Sequence, residues 1–405
     1  MTDTPVHSRS SSGPARRFRD RIRQLERFNA FVSLTDEDGS GPMVAVKDVI
    51  DVKGAVTTGG SDLLPDVPAQ RDALVVAALR DAGCAVIGKT NLHEWAFGPT
   101  SINPFFGAVH NPRDFARVAG GSSGGSATAV ALRMCDWAIG TDTGGSVRIS
   151  AALCGVTGFR PTANTLPTEG IVPLSPSLDT AGPMAADVRS VITALEAMRA
   201  APLDVKEVPL RDLQVAVPDT WVRELDTETE RAWRRAASGF SRIPFPPRNV
   251  LADTGRTVLY AEAAVVHRER FRLHAHRYSP DVRRHLEEAQ RITEGDYEAA
   301  KRRLGDLRGQ VTDAMAGWDA IVLPTTACVA PRIDAVTSGG KLQDLREPIS
   351  RFTMPFSATG HPAITLPVPG DGMPVGLQVV GHFGHDAHVA SVALALERVM
   401  GTTVI

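Results

Sequence analysis

The chain has 405 residues and a formal net charge of −2, with 43% hydrophobic and 22% charged residues. These values are typical of a soluble globular protein, and the length suits one large or two ordinary domains. A charge near zero argues against a dominant attraction to nucleic acid or to an anionic membrane surface. Aromatic residues make up only 5% of the chain, which disfavours a base-stacking platform for single strands.

The first 15 residues are rich in Ser, Pro and Arg and are predicted to form a flexible tail. This tail lacks the apolar stretch of a secretory signal, and no segment approaches the ~18 uninterrupted apolar residues that cross a bilayer. None of the four cysteines belongs to a CxxC pair, and their apolar settings predict buried, reduced thiols. Together these features predict a cytoplasmic protein without membrane association.

Helix and strand patterns alternate along the first half of the chain. Apolar residues recur at helical spacing in 16–31, and an apolar run rich in β-branched residues follows at 43–51. Further elements are predicted in chain order: a helix over 72–82, a buried strand over 85–88, an Ala-rich helix over 126–134 and a strand end at 138–140. This alternation predicts an α/β fold, with a large mixed and mostly parallel sheet covered by helices on both faces.

The second half changes in character at about residue 200, where charged helical segments begin and continue to about 315. The sheet pattern returns at 318–325 and 375–380, and a helix over 387–399 closes the chain. The predicted organisation is a single domain over 16–405, with its core in 43–190 and 318–405.

Two turns rich in Gly and Ser flank an apolar segment of helix length. The first is GGSSGGS, residues 120–126, and the second is GTDTGGS, residues 140–146. Glycine lets the backbone approach a ligand closely, and successive N–H groups in such a turn can point at one oxyanion. Ser146, which ends the second turn, is therefore placed as a nucleophile with its own oxyanion hole. Lys47, in a strand predicted to be buried, is a candidate proton acceptor.

The segments VAVKD, GGSSGGS and GTDTGGSVR occur in this order and resemble the amidase signature family. Members of that family hydrolyse carboxamides with a Ser–Ser–Lys triad. The resemblance implies that Lys47 is the general base and Ser146 the nucleophile. It also implies that Ser122 is the bridging serine, which follows a cis peptide bond in the family. The similarity extends over nearly the whole chain and implies the family's fold, with the helical region after residue 200 forming the substrate entrance.

A free lysine has a pKa of about 10.4, so burial must lower the pKa of Lys47 before this residue can accept a proton. The hypothesis is a relay, in which neutral Lys47 takes a proton from Ser122, which takes one from Ser146. Ser146 then attacks the amide carbonyl, and water hydrolyses the acyl-enzyme by the same route. The backbone N–H groups expected to bind the oxyanion are those of Thr143, Gly144, Gly145 and Ser146.

Three further residues of the turns have either a substrate-binding or a structural role, namely Ser123, Asp142 and Arg148. Asp142 is expected to hold its loop through backbone hydrogen bonds. Arg148 could bind a substrate carboxylate, but the family has arginine here whatever the substrate, which favours a structural ion pair. Ser150 stands where most family members have proline. Serine can cap or occupy a first helical turn, so we expect a small change in loop geometry with activity retained.

No cofactor and no metal ion is predicted. His382, His385 and His388 do not share one helix face well, and the HExxH motif is absent. The chain also lacks the P-loop motif and a GxGxxG turn after a first strand, so neither nucleotide-binding fingerprint is present.

The leading hypothesis is an amidase that hydrolyses a small carboxamide; arylacetamides, short dicarboxylic monoamides and amino-acid amides all stay open as substrates. One alternative is the glutamine-hydrolysing A-type subunit of a tRNA-dependent amidotransferase, which needs partner subunits. The compact chain is more similar to malonamidase-like and indoleacetamide-hydrolase-like members. A minor alternative is a non-catalytic binding protein on the same scaffold, because fold does not determine function. A homodimer also stays open, since symmetric dimers are common.

Overall fold

The computed structural model describes residues 14–337 and 342–401. Its strands are β1 Phe31–Leu34, β2 Met43–Lys47, β3 Ala85–Thr90, β4 Trp137–Thr141, β5 Thr157–Arg160, β6 Ala181–Ala185, β7 Val215–Pro218, β8 Ser241–Ile243, β9 Ala320–Pro324, β10 Ala363–Pro367 and β11 Gly376–Val380. Its α-helices are α1 Pro14–Gln24, α2 Leu74–Asp81, α3 Gly124–Ala131, α4 Ser146–Cys154, α5 Val188–Arg199, α6 Thr227–Ala236, α7 Arg248–His274, α8 Pro280–Ala289, α9 Glu294–Ala314, α10 Ile333–Thr337, α11 Leu342–Ser350, α12 Met354–Thr359 and α13 Asp386–Met400. Residues 1–13 of the predicted tail lie outside the described residues.

The strands form one sheet of 11 members in the order β1-β3-β2-β4-β6-β5-β10-β11-β9-β7-β8. β2 runs parallel to its neighbours β3 and β4, and β7 runs parallel to β8 and β9. Between these two groups, β6, β5, β10 and β11 pair antiparallel. The predicted mixed sheet is confirmed, and its parallel strands fall into two groups separated by the antiparallel strands.

Both faces of the sheet are covered, because successive side chains of each strand point to opposite faces and apolar side chains lie on both. Val44 and Val46 of β2 belong to one buried apolar cluster with residues of α2, α5 and α13, whereas Met43 and Ala45 belong to another with residues of α1, α3 and α4. At the other end of the sheet, Ile321 of β9 belongs to a third cluster with residues of α7, α8, α9 and α12. This confirms the predicted helices on both faces.

The predicted N-terminal helix over 16–31 is shorter in the structure. α1 ends at Gln24, and β1 begins at Phe31. Between them Asn29 has φ 56°, a left-handed conformation that does not continue a right-handed helix. Phe28 is buried, but it lies in a short 3₁₀ turn after α1. The helical spacing of apolar residues therefore continues past the end of the helix.

The region from about 200 to 315 is mostly helical, and it also supplies β7 and β8 to the sheet. These strands have only four and three residues, too few for a visible alternation. The longest helix, α7, has 27 residues and packs against α8, α9 and α12. Within 14–337 and 342–401, no helix is both long and apolar enough to span a membrane.

The four cysteines are free thiols. Cys84, Cys135 and Cys154 are buried as predicted, whereas Cys328 is only partly buried. Burial raises the pKa of Cys84 to about 11 and that of Cys154 to about 12, so these thiols are protonated at neutral pH.

Candidate active site

Lys47 is the last residue of β2, and its side chain is fully buried. Its Nζ lies 2.7 Å from Ser122 Oγ, 3.0 Å from Ser123 Oγ and 2.9 Å from Thr141 Oγ1. Thr141 ends β4, the parallel neighbour of β2, so the sheet brings its hydroxyl to the same place. Lys47 forms no salt bridge with any described residue. Its amine is thus surrounded by hydroxyl groups instead of a carboxylate.

This setting favours the neutral form of the amine. Burial lowers the pKa of Lys47 from 10.5 to about 7, against the opposing charges of Asp142 and Asp179. The Ser123 hydroxyl donates to the Thr141 carbonyl at 3.2 Å, so it accepts from Lys47. A neutral amine has one lone pair, which can accept from the hydroxyl of Ser122 or Thr141. The cluster can therefore hold a neutral lysine whose hydrogen-bonding positions are all used.

The backbone of the first turn is closely packed where it places Ser122 beside Lys47. The Gly121–Ser122 peptide is cis, and the Ser122 carbonyl accepts from the N–H of His93 at 3.2 Å. A Cβ on Gly121 would lie 2.5 Å from the backbone nitrogen of Thr100. No side chain fits at that distance, so glycine is required at this position.

The second turn ends at Ser146, the first residue of α4. Gly145 has φ 132°, and a Cβ there would collide with the side chain of Thr353. Thr353 Oγ1 donates to the Gly144 carbonyl at 2.8 Å, which fixes the turn from the opposite side. The side chain of Ser146 is 9% exposed and lines a pocket. Its Oγ makes no hydrogen bond with the described residues, so a free hydroxyl faces that pocket.

The same turn carries a row of free donors beside Ser146. Four successive backbone N–H groups donate to no acceptor among the described residues, namely those of Thr143, Gly144, Gly145 and Ser146. The next two, of Val147 and Arg148, point at the carboxylate of Asp142 at 3.3 and 3.4 Å. Unpartnered N–H groups at the start of a helix are suited to an oxyanion. The oxyanion hole at these four residues stays a prediction.

Asp142 lies in a buried ion cluster and does not face the pocket. Its Oδ1 accepts from Arg148 at 2.9 Å and from Arg160 at 3.0 Å, and its Oδ2 accepts from Arg148 Nε at 3.0 Å. Burial alone would raise the pKa of Asp142, but the two guanidinium groups together hold it well below its usual value. Asp142 thus stays ionised and links the second turn to β5.

Arg148 has no donor left for a substrate. Besides its two bonds to Asp142, the guanidinium donates to Gln378 Oε1 at 2.6 Å, to Ser357 Oγ at 2.7 Å and to the Thr353 carbonyl at 3.1 Å. All five of its N–H groups therefore have acceptors inside the protein. Arg148 thus forms a buried ion pair with Asp142.

The sequence predicted no role for Asp179, a partly buried carboxyl group behind the second turn. It accepts from Thr143 Oγ1 at 2.5 Å and from the N–H groups of Leu174 and Ser175 at 2.9 and 3.0 Å. Burial raises the pKa of Asp179 to about 6, although these hydrogen bonds oppose the rise. The signal available was the segment DTAGP, but no spacing in the sequence connects it with the turn.

The pocket at Ser146 has mostly apolar walls that come from several parts of the chain. Its apolar side chains include Phe97, Ile149, Leu174, Leu259 and Met354, and its cationic ones are Arg256 and Arg346. α7 contributes two of these residues, α11 one and α12 one. The helical region after residue 200 thus contributes residues to this pocket, and its role as the substrate entrance stays a prediction.

The remaining predicted residues lie away from this chemistry. His382 hydrogen-bonds the Trp318 carbonyl at 2.8 Å, and His388 contacts the Asp319 carboxylate at 2.9 Å. No group of His, Cys, Asp or Glu side chains suited to a metal ion occurs in the described part of the chain. Ser150 neither caps α4 nor lies in its first turn. It is buried in the second turn of that helix, and its hydroxyl has no hydrogen-bond partner among the described residues.

Comparison with known proteins places the chain in a family. The Amidase family model matches residues 40–390. AtzE of Pseudomonas sp. (strain ADP), a subunit of 1-carboxybiuret hydrolase, is 32% identical in an alignment 371 positions long, gaps included, that covers 84% of this chain and 80% of that protein. The A-type subunit of glutamyl-tRNA(Gln) amidotransferase from Koribacter versatilis (strain Ellin345) is 32% identical in an alignment 414 positions long, gaps included, that covers 89% of this chain and 85% of that protein. The crystal structure of an amidase matches with a TM-score of 0.88 and 33% identity, over 96% of this chain and 95% of that one. The chain therefore belongs to the amidase signature family and is an amidohydrolase that acts on C–N bonds.

Proposed function

We propose that the protein hydrolyses a small carboxamide through an acyl-enzyme on Ser146, with Ser122 as proton relay and Lys47 as general base. One observation carries this proposal. Lys47 is fully buried without a carboxylate partner among the described residues, and its Nζ lies 2.7 Å from Ser122 Oγ. An ammonium ion is disfavoured there, so the amine is available as a base near neutral pH.

Acylation begins when Ser146 Oγ attacks the amide carbonyl carbon. As the new C–O bond forms, the proton of Ser146 passes to Ser122, and the proton of Ser122 passes to the lone pair of Lys47 Nζ. The carbonyl electrons move onto the oxygen, which the free N–H groups of the second turn bind. The C–N bond then breaks, and the amine leaves with a proton returned through Ser122. Water repeats the sequence on the ester and releases the acid.

The relay requires the hydroxyl of Ser122 to reach that of Ser146 once substrate is bound. In this structure Ser122 Oγ already contacts Lys47 Nζ, whereas Ser146 Oγ is free toward the pocket. Catalytic hydrogen bonds often tighten only in the complex with substrate. We assign Ser123 and Thr141 to positioning, because their oxygens hold Nζ in place beside Ser122.

The test is ammonia release from a panel of primary amides: glutamine, malonamate, phenylacetamide and indole-3-acetamide. We expect wild-type enzyme to hydrolyse at least one of them without ATP or a partner, and Ser146→Ala to abolish turnover. Ser241→Ala is the matched control, because Ser241 is an exposed serine of β8. Turnover that survives in Ser146→Ala would overturn the assignment of the nucleophile.

The alternative is a glutamine-hydrolysing component of a tRNA-dependent amidotransferase. It is supported by the 32% identity to the A-type subunit of that enzyme over 89% of this chain. The same panel separates the two functions. Slow ammonia release from glutamine alone, with no turnover of the other amides, would favour the amidotransferase. Turnover of a non-glutamine amide by the isolated chain would favour the amidase.

A further inference from the structure

The pocket that contains Ser146 also contains a guanidinium group held by neutral partners. Arg346 of α11 donates from Nη1 to the Tyr260 hydroxyl at 2.5 Å and to His285 Nε2 at 2.7 Å. Its guanidinium carbon lies 5.6 Å from the ring centre of Phe97 and 5.4 Å from that of Tyr260. Aromatic rings and two hydrogen bonds thus fix the group at the pocket wall.

The charge of Arg346 is not neutralised by any described residue. Burial, together with the nearby guanidinium of Arg346, lowers the pKa of His285 to about 2, so the imidazole is neutral and acts as an acceptor. Tyr260 offers only a hydroxyl. By contrast, Arg351 and Arg248 nearby both pair with Glu347, at 2.6 and 2.9 Å. The guanidinium in the pocket therefore differs from these neighbours, which have a carboxylate partner.

On two of its three nitrogens, the Arg346 guanidinium has N–H groups without an acceptor among the described residues. Nε and Nη2 donate to no acceptor in the described part of the chain, while Nη1 is held by the two contacts given above. A planar guanidinium with adjacent free N–H groups matches the two oxygens of a carboxylate. Among the other side chains of the pocket, Phe97, Leu259 and Met354 offer no acceptor oxygen, and the Ser350 hydroxyl donates to the Arg346 carbonyl at 2.8 Å.

The second cation of the pocket is placed differently. Arg256 is exposed, and its Nη1 lies 3.2 Å from Asp253 Oδ1 on the same helix. Its charge is therefore already paired and largely in water, where an added ion pair contributes little. Of the two arginines that line this pocket, Arg346 is the one whose charge a bound anion would pair.

We infer that the substrate is a small primary amide that also carries a carboxylate, such as the monoamide of a dicarboxylic acid, and that Arg346 binds this carboxylate. The inference rests on the proposed function, because it places the carboxylate in the pocket where Ser146 attacks the amide. Arg346 is thus a specificity-determining residue. Its fixed geometry orients the amide carbonyl toward the nucleophile.

The experiment compares pairs of amides that differ only in charge. Malonamate, succinamate and glutaramate are each paired with the neutral isostere that has isopropyl in place of carboxylate: 3-methylbutanamide, 4-methylpentanamide and 5-methylhexanamide. We expect wild-type kcat/KM to favour the charged member of at least one pair by about 10- to 100-fold. In Arg346→Leu this preference disappears, while turnover of the neutral member is retained.

Three further variants test whether the preference for the charged amide depends on Arg346. Arg346→Lys keeps the charge but loses the fork geometry, so part of the preference should remain. Arg256→Leu should change the preference less than Arg346→Leu, because Arg256 already has a carboxylate partner. Arg302→Leu, at an exposed position of α9, should change nothing. A thermal melt of each variant checks that it is folded.

A binding measurement separates this inference from the proposed function. Succinate and succinamate are titrated into Ser146→Ala by calorimetry, and we expect both to bind and to lose affinity when Arg346→Leu is added. If wild type hydrolyses no amide of these pairs and none of the first panel, the proposed function fails. Hydrolysis of only the panel amides that lack a carboxylate leaves the amidase standing and overturns the carboxylate site. Equal kcat/KM on both members of every pair leaves the amidase standing and overturns the carboxylate site. An equal loss on both members in Arg346→Leu also overturns it, because that result shows only a structural tie between α11, α7 and α8.

Discussion

Two buried lysines lie on adjacent strands of the sheet, Lys47 at the end of β2 and Lys89 in β3. Both side chains are fully buried. Lys89 Nζ lies 2.7 Å from Asp48 Oδ1 and donates to Thr57 Oγ1 at 2.9 Å, so its charge is balanced. Lys47 has only hydroxyl groups of described residues within reach. The two lysines therefore differ in the partner of the amine and not in burial.

The contrast follows from the cost of placing an ion in a low dielectric. Burial lowers the pKa of both lysines, but at Lys89 the charge of Asp48 opposes this effect directly. At Lys47 the opposing charges, Asp142 and Asp179, act from beyond the hydroxyl cluster, and Asp142 is already bound to two arginines. The chain therefore keeps one lysine as part of an ion pair and leaves the other free to act as a base.

The largest effect should come from removing the base. We expect Lys47→Ala to lower kcat by about 10⁴-fold, because Ser122 then has no group to take its proton. The measurement is turnover of the best amide of the panel, with a thermal melt to show that the variant is folded. If the variant keeps most of its kcat, Lys47 is not the base, and its role is structural like that of Lys89.

At the other lysine the loss should be in stability. Lys89→Met leaves the Asp48 carboxylate buried without its cation, and we expect the free energy of unfolding to fall by about 3–5 kcal/mol. Urea denaturation measures this change, while kcat of the folded fraction should stay close to wild type. The double variant Lys89→Met/Asp48→Asn removes the charge as well and should recover part of the stability. If Lys89→Met unfolds no more easily than wild type, the pair does not support the fold.

The pH dependence should report the ionisation of Lys47. Because its pKa is lowered to about 7, the amine is protonated below that pH and cannot accept a proton. We expect kcat/KM to fall about tenfold per pH unit below pH 7 on a substrate that does not itself titrate there. Between pH 7 and 10.5 the unfolded lysine binds a proton that the folded one does not, so this residue makes stability rise with pH across that window. An activity that is flat down to pH 5 would contradict a neutral Lys47 as the base.

The smallest expected effect comes from removing a charge that acts on Lys47 without contacting it. Asp179 raises the pKa of Lys47 electrostatically without touching it. Asp179→Asn should therefore move the acid midpoint of kcat/KM to lower pH, by less than about one unit. Asp204→Asn, on an exposed carboxylate, is the control and should leave the midpoint unchanged. A shift to higher pH would show that Asp179 does not act on Lys47 through its charge.

Much of the fold and part of the site could be predicted from the sequence. Buried strands and helices of ordinary length carry clear periodicity, which indicated the mixed sheet and its helical cover, and the motif order indicated the family. Three-residue strands such as β8 and the end of α1 at Gln24 could not be predicted, because too few residues repeat or because the repeat continues past the helix. Within the site, Lys47, Ser122 and Ser146 stood out through their motifs. Thr141 and Asp179 did not, because their roles depend on strand pairing and on a turn remote in the chain.

The saturation of Arg148 has a consequence for how this protein can acquire new substrates. This arginine, two positions after the proposed nucleophile Ser146, uses all its N–H groups inside the protein, so none is available to bind a ligand. Selectivity has to vary elsewhere in the pocket, and the wall that α7, α11 and α12 supply is one such part. Laboratory evolution toward another amide should therefore randomise that wall and leave the turn intact, since the reacting groups and the recognising groups occupy separable parts of the chain.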